Sequence, residues 1–345
     1  MSFEANVIFI LGPTGSGKSA MSVAVAKKLG NAEVVNADAM QVYKGFDIGT
    51  AKLSLAEQQN VIHHGFDLID SSQTFSVQDY LKFATEVIDD IHTRGKIAVV
   101  TGGSNMYLQA LIWTSDLDNK NMAETMDGDW DDLYAIDPAK AEKLHRNDVR
   151  RIQNAIASSQ SSNMSEHVLR YPECHVIMME CSESDWIKSR LDIRIDNMMT
   201  QGLHAEAMHA ISLFPRGKGV LQSIGYREFA EADDPTDLHS ITEKIKIDTW
   251  RYFRKQLKWL NGRILPRLTL EPVRVTIEEG SLIDIDNVIL QLQSRSEKAV
   301  NDDLPESPIK RFVCDKCSIE FPGKDADWLN HIKSSKHKRK RKRLD

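Results

Sequence analysis

Along this chain, two kinds of apolar spacing alternate. Short runs rich in β-branched residues stand at Val7–Leu11, Glu33–Asp38, Ile97–Thr101 and Cys174–Cys181. Runs of that length, bounded by Gly or polar residues, predict strands buried on both faces. Helical spacing fills the stretches between them. Ala20–Leu29 follows the first run. Ser76–Arg94 opens on Ser-Val-Gln-Asp, puts Val77, Leu81, Ala84, Val87, Ile88 and Ile91 on one face, and stops at Gly95. Ser184–Gln201 ends before Gly202, which fits a helix C-cap. A long basic-aromatic helix is predicted over about 242–261, where Lys244, Lys246, Arg251, Arg254, Lys255 and Lys258 interleave with Trp250, Tyr252, Phe253 and Trp259. The alternation predicts an α/β fold: a parallel sheet flanked by helices, its strand carboxyl ends sharing one edge.

Two segments break the pattern. Trp113–Asp132 is acidic and aperiodic, Asp137-Pro138 opens a helical stretch carrying Arg146, Arg150 and Arg151, and Ser158–Ser165 is a low-complexity polar run. We expect a helical insertion at 113–168, inside a core made of 1–112 and 169–300. An acidic linker is expected at 301–309. Beyond it, at 310–345, stands Cys314-x₂-Cys317-x₁₃-His331-x₅-His337, with Phe312, Phe321 and Leu329 as a minimal core. This is the spacing of a C₂H₂ zinc finger, so a structural Zn²⁺ is expected on a unit too small to fold without it. Six consecutive charges follow at 338–343, readable as a nuclear address or a nucleic-acid contact.

The chemistry concentrates behind the first strand. Gly12-Pro13-Thr14-Gly15-Ser16-Gly17-Lys18-Ser19 fits G-x-x-x-x-G-K-[ST] between a strand and a helix. Glycines let successive N–H groups point at one anion, and the helix N-terminus adds about half a positive charge. Lys18 supplies a point charge, and the Ser19 hydroxyl is placed for Mg²⁺. The loop indicates phosphate; it does not specify ATP or hydrolysis. Asp38 ends the second predicted strand beside this loop, where a carboxylate serves as base, ligand or cap. An NTPase usually carries a Walker-B Asp on the strand that here ends Val100-Thr101-Gly102, which weakens an ordinary ATPase reading. The pair His63-His64 lacks neighbours with metal-ligand spacing and reads as structural or substrate-side.

Composition adds limits. The 345 residues are 41% hydrophobic, enough for a sizeable core and more than one unit, and no apolar window is long enough to predict a membrane span. The first strand begins within a few residues of Met1, so no signal or transit peptide is expected. Four cysteines suit a reducing compartment. Residues 310–345 hold 12 Lys and Arg against 5 Asp and Glu, a net of +7 that leaves −13 for the rest of a chain totalling −6. A basic tail on an acidic body suggests a polyanionic partner. A monomer in the cytoplasm is the default expectation, the tail and internal starts leaving room for nuclear or mitochondrial pools.

Taken together, the ordered motifs GPTGSGKS, NADAMQVY, DIGTAK, FSVQDY, TGGSNMYLQALIW, RLDIRIDNMMTQGL, QSIGY and TWRYFRKQLKW resemble those of the tRNA dimethylallyltransferases, across nearly all of residues 5–337. The finger resembles the eukaryotic branch. The resemblance implies that the phosphate loop, Gly12 to Ser19, holds dimethylallyl diphosphate, and that an adenine exocyclic amine beside the anticodon of tRNA attacks the prenyl carbon. It implies catalytic roles for Asp38 as base and for Lys18, Thr14 and Arg227. It implies tRNA contacts at Asp38, Ala39, Met40, Gln41 and Ser104, at Asp148, Val149, Arg150, Arg151 and Ile152, and at Gln222, Ser223, Ile224, Gly225, Tyr226 and Arg227. Mg²⁺ at Ser19 is the implied cofactor and no membrane partner is expected. Ala39, Ser104 and Lys255 stand where relatives commonly carry Ser, Thr and Arg. Two other enzyme readings share the loop and Asp38: prenylation of free adenine nucleotides, and a small-molecule kinase. A third reading is an RNA-binding protein with a relic loop.

Overall fold

The computed structural model describes residues 6–114, 128–160, 168–294, 310–314 and 319–323, in two compact units, Met1–Lys298 and Ala299–Asp345. In the first unit six strands form one parallel sheet: β1 (Val7–Leu11), β2 (Ala32–Asn36), β3 (His63–His64), β4 (Ile97–Thr101), β5 (His175–Glu180) and β6 (Val273–Thr276). Their order is β3-β2-β4-β1-β5-β6, with β1 central between β4 and β5. β1 is apolar throughout because both its faces are covered. Val7, Phe9 and Leu11 join one core with Val35, Val100 and Val176, while Ile8 and Ile10 join another with Val34, Val99 and Ile177.

The flanking helices follow from their apolar stripes. α1 (Lys18–Leu29) leads from the phosphate loop. α2 (Val77–Thr93) is started by a reciprocal cap: Ser76 Oγ accepts from Asp79 N, and Asp79 accepts from Ser76 N at 2.8 Å. It buries Tyr80, Leu81, Ala84, Ile88 and Ile91. α3 (Asn105–Ile112) follows β4 directly. A separate small core of Leu133, Ala141, Ile152 and Ile156 joins α4 (Trp130–Ile136), α5 (Pro138–Ala141) and α6 (Val149–Gln160). The chain leaves the sheet and returns at one point: Trp113 faces Leu169 in an antiparallel bridge, and Arg170 N donates to Ile112 O at 2.8 Å. The polar run expected from Ser158 is helical as far as Gln160.

Four more helices complete the unit: α7 (Asp185–Gln201), α8 (Leu203–Leu213), α9 (Arg227–Glu231) and α10 (Leu238–Trp259), with α11 (Ile285–Gln293) closing the far side of the sheet. α10 begins four residues earlier than its aromatic pattern suggested, because Asp237 caps it through Ser240 N at 3.1 Å. Its aromatics divide. Phe253 is fully buried, Trp250 stacks on it at 5.1 Å, and Trp259 packs on the other core, while Tyr252 and the cations Lys244, Arg251, Arg254, Lys255 and Lys258 are exposed. Among the described residues no helix is long and apolar enough to cross a membrane.

The second unit is described as one antiparallel hairpin, β7 (Lys310–Cys314) with β8 (Ile319–Gly323), Phe312 opposite Phe321. The expected zinc finger is not upheld. A tetrahedral site needs four converging ligands, and among the described residues no group of three or more His, Cys, Asp or Glu is placed to hold a metal ion. Cys314 is buried at the end of its strand. Cys317, His331 and His337 lie outside the described residues, as does the basic run at 338–343. The described residues therefore give a structural Zn²⁺ no support, and the fold they show is the α/β sheet with its flanking helices.

Candidate active site

The carboxyl ends of β1, β2 and β4 bring three loops together. After β1 the chain turns through the phosphate loop, with Gly17 at φ 83°, a left-handed conformation that Gly adopts without strain. Inside the loop Ser16 Oγ donates to Pro13 O at 2.8 Å, and Lys18 Nζ donates to the same carbonyl at 2.7 Å. Burial, and then the neighbouring Arg194, brings the Lys18 pKa down to about 8. Arg194 comes from α7, one turn after Arg190, and its Nη1 donates to Thr14 Oγ1 at 3.2 Å.

β2 ends at Asn36, two residues before the expected limit, so Asp38 sits on the loop. Its Oδ1 accepts from Met40 N at 2.9 Å and its Oδ2 from Gly103 N at 3.2 Å. Desolvation still pushes its pKa up, against those bonds and the pull of Lys18. The Gly102-Gly103 turn after β4 has to be free of side chains. A Cβ on Gly103 would lie 2.5 Å from Asp38 Oδ2. Ser104 Oγ accepts from Ala39 N at 2.8 Å, which ties the β4 turn to the Asp38 loop.

Two cavities meet at these residues. One, of about 510 Å³, is lined by Thr14, Gly15, Gly17, Lys18 and Ser19 together with Arg190 and Arg194. The other, of about 360 Å³, is lined by Met40, Ser104, Gln222 to Gly225, Arg227, Arg251 and Lys255. Thr14, Asp38, Arg194 and Tyr252 belong to both walls. The arrangement suits an anion on one side, a second reactant on the other, and a carboxylate between them.

The other expected residues are distributed unevenly. Gln41 lines the larger cavity, and its Nε2 is used by Thr50 O at 3.0 Å and Ala51 O at 3.3 Å. Arg227 lines the smaller cavity, bonded to Glu228 at 2.8 Å and Asp248 at 3.3 Å, across from the phosphate loop. Tyr226 is fully buried, and its hydroxyl donates to Glu206 at 2.5 Å. Glu206 also accepts from the N–H groups of Asp47, Ile48 and Gly49, so Tyr226 helps to hold that loop and offers no surface. In the insertion, Ile152 is buried in the small core, Val149 and Arg151 are exposed, and Asp148 accepts from Arg151 N at 3.4 Å. The side chain of Arg150 is outside the described set. His64 bonds Glu33 at 2.7 Å and His63 bonds Val61 O at 2.9 Å, both structural contacts.

Three site residues escaped the pattern reading. Arg190 and Arg194 were visible as an i, i+4 pair but not as neighbours of the phosphate loop. Gln256 is the third. Buried on α10, it accepts from Thr14 N at 2.8 Å and donates to Gly103 O at 2.9 Å. The signal was a lone Gln on the face of α10 that carries Phe253. For a divalent cation the fit is good: Ser19 opens onto the larger cavity, and Mg²⁺ takes one or two protein ligands, completing its shell with phosphate oxygens and water.

A family model described as IPP transferase matches residues 41–263. The tRNA dimethylallyltransferase of Thermoanaerobacter sp. is 34% identical, over 74% of this chain and 89% of that protein. The Schizosaccharomyces pombe tRNA dimethylallyltransferase is 31% identical, over 95% and 93%. A crystal structure of a eukaryotic dimethylallyltransferase acting on tRNA superposes with TM-score 0.76 at 26% identity, covering 99% of this chain and 97% of that one. The Bacillus halodurans tRNA isopentenylpyrophosphate transferase structure gives TM-score 0.61 at 28% identity, over 84% and 95%. On this agreement of sequence and fold, the chain belongs to the IPP transferase family of tRNA dimethylallyltransferases.

Proposed function

We propose that this enzyme moves the dimethylallyl group of dimethylallyl diphosphate onto the exocyclic amine of the adenosine 3′ to the anticodon of tRNA, position 37, and releases diphosphate. By family it is a transferase of prenyl groups to tRNA; the atom and the position are our reading. One observation carries it: Asp38 and Thr14 stand in the wall common to a cavity built on the phosphate loop and a second, adjoining cavity.

The chemistry follows from that placement. The amine nitrogen forms a bond to the prenyl C1 as the C1–O bond breaks, and the electron pair leaves with diphosphate. An aryl amine is a weak nucleophile and must lose a proton as it bonds, so a carboxylate beside it acts as base. Asp38 takes that proton. Its two backbone donors fix its direction, and its desolvated setting raises its basicity. Charge grows on the leaving diphosphate, and Lys18, Arg190, Arg194 and the N–H groups of the loop oppose it. Ser19 would hold Mg²⁺, which supplies further positive charge to the leaving group when bound. Thr14 is oriented at both its hydroxyl and its amide, at the boundary of the two reactants. Arg227 and the Gln222–Gly225 turn line the acceptor cavity beside Thr14 and Arg194, which supports contact with the nucleic acid and leaves Arg227 within the same wall as the diphosphate side. Extruding the base costs a few kcal/mol of stacking.

Nucleoside analysis of tRNA after incubation with labelled dimethylallyl diphosphate tests the reading. We expect label on one adenosine per anticodon stem-loop and none on AMP. Label on AMP in preference to the stem-loop would move the acceptor to free nucleotides. Consumption of ATP with no prenyl transfer would refute the proposal.

A further inference from the structure

Gln256 lines the larger cavity and holds two of its walls together. It is a polar side chain at 2% exposure on α10, the helix that seals the site, and both ends of its amide are used. Oε1 accepts from the amide of Thr14, in the phosphate loop, at 2.8 Å. Nε2 donates to the carbonyl of Gly103, in the turn after β4, at 2.9 Å. Gly103 in turn donates its own N–H to Asp38 Oδ2. One side chain therefore connects the loop assigned to diphosphate with the turn that orients the carboxylate. Tyr252, one helical turn earlier, donates its hydroxyl to the same Gly103 carbonyl at 3.0 Å and secures the turn from the same helix.

We propose that Gln256 is a positioning residue that sets the distance between the prenyl donor and the Asp38 base; the inference rests on the function given above. The bridge is directional. The donor at Thr14 demands an oxygen and the acceptor at Gly103 demands an N–H, so an amide satisfies both where a carboxylate or a thioether cannot. The bridge also spends the Thr14 N–H. The diphosphate is then left to the amides of Gly15 and of Gly17 to Ser19, the Ser16 N–H being given to Pro13 O, and Thr14 marks the edge of the cradle. Placement errors of about 1 Å cost on the order of 10²-fold in rate, so a residue that acts by holding Thr14 and Gly103 governs the chemical step.

Two variants test this. Gln256→Met keeps the volume and loses both bonds; Gln256→Glu keeps an oxygen for Thr14 and loses the donor to Gly103. The measurements are the single-turnover rate of the preassembled complex with dimethylallyl diphosphate and an anticodon stem-loop, the Kd of each substrate, and Tm. We expect both variants to lose about 30-fold or more in rate, with each Kd within about threefold of the parent. A Gln256→Glu rate equal to the parent's would overturn the bridge, and so would Kd values that weaken in proportion to rate. Should Gln256→Met fail to fold, Gln256→Glu decides; failure of both makes Gln256 an ordinary core residue and also overturns the proposal. The parent enzyme separates this outcome from the function itself: if it transfers no prenyl group to the stem-loop, the function fails first.

Discussion

The two cavities that meet at Asp38 are walled in different ways. On the donor side, two cations at the phosphate loop bond to neutral groups: Lys18 to the Pro13 carbonyl and Arg194 to the Thr14 hydroxyl. On the acceptor side, two arginines are held by carboxylates: Arg227 by Glu228 and Asp248, and Arg251 by Asp248 at 2.9 Å. A wall of the first kind keeps its charge for a mobile dianion. Arg227 and Arg251 are fixed in place by their carboxylates, which suits selection of a base by geometry. Asp38 is buffered between them, drawn toward ionisation by Lys18 and toward neutrality by desolvation.

Removing the group common to both walls should have the largest effect. Asp38→Asn should lower the single-turnover rate by about 10³-fold or more, while the stem-loop Kd stays within about threefold. Equal loss of binding and rate would make Asp38 a ligand and not a base. Next comes the donor wall alone. Lys18→Ala should reduce kcat/KM for dimethylallyl diphosphate by on the order of 10²-fold and leave stem-loop affinity unchanged. A drop in tRNA affinity would show that the walls are not separate.

A pH profile tests the boundary more gently. The raised Asp38 pKa means that the folded protein keeps a proton the unfolded chain has already released near pH 4. The contribution of Asp38 to stability therefore falls as pH climbs from that value through the folded pKa. Activity runs the other way: kcat/KM should rise about tenfold per pH unit up to the folded pKa, with its acidic limb above pH 4. A profile already flat from pH 4 would deny Asp38 the role. The smallest effect is expected on the acceptor side. Tyr226→Phe should cost about 1–2 kcal/mol of stability, because it removes a bond to the Glu206 carboxylate, and should leave the stem-loop Kd within about twofold. A large loss of tRNA binding at full stability would return Tyr226 to the surface.

The same contrast explains what the sequence revealed. The donor wall is local: a strand, a glycine loop and a helix contiguous from Val7 to Leu29, where spacing alone indicates a phosphate. Period and capping likewise marked α2, β4 and the Gly202 end of α7 close to their observed limits. The acceptor wall, and the Arg190, Arg194 and Gln256 additions to the donor wall, are assembled from segments more than 100 residues apart, and no spacing rule shows that Gln256 touches Thr14. The two-residue β3 and the edge strand β6 carry too little pattern to be seen, while α8 follows α7 after a single Gly and was lost in its shadow. The C₂H₂ spacing states only which ligands are available, and three of its four, Cys317, His331 and His337, lie outside the described residues. Aromatics of α10 were ambiguous by spacing as well: only packing separates a core Phe253 from a cavity-lining Tyr252.

The most direct measurement is a crystal structure with a non-transferable diphosphate analogue of the donor and an anticodon stem-loop bound together. The account predicts diphosphate against Gly15 to Ser19, an extruded adenine entering from the Gln222–Gly225 side, and its exocyclic nitrogen within hydrogen-bond reach of Asp38. An adenine seated away from Asp38, or a nucleoside triphosphate filling the phosphate loop in place of the donor, would contradict it.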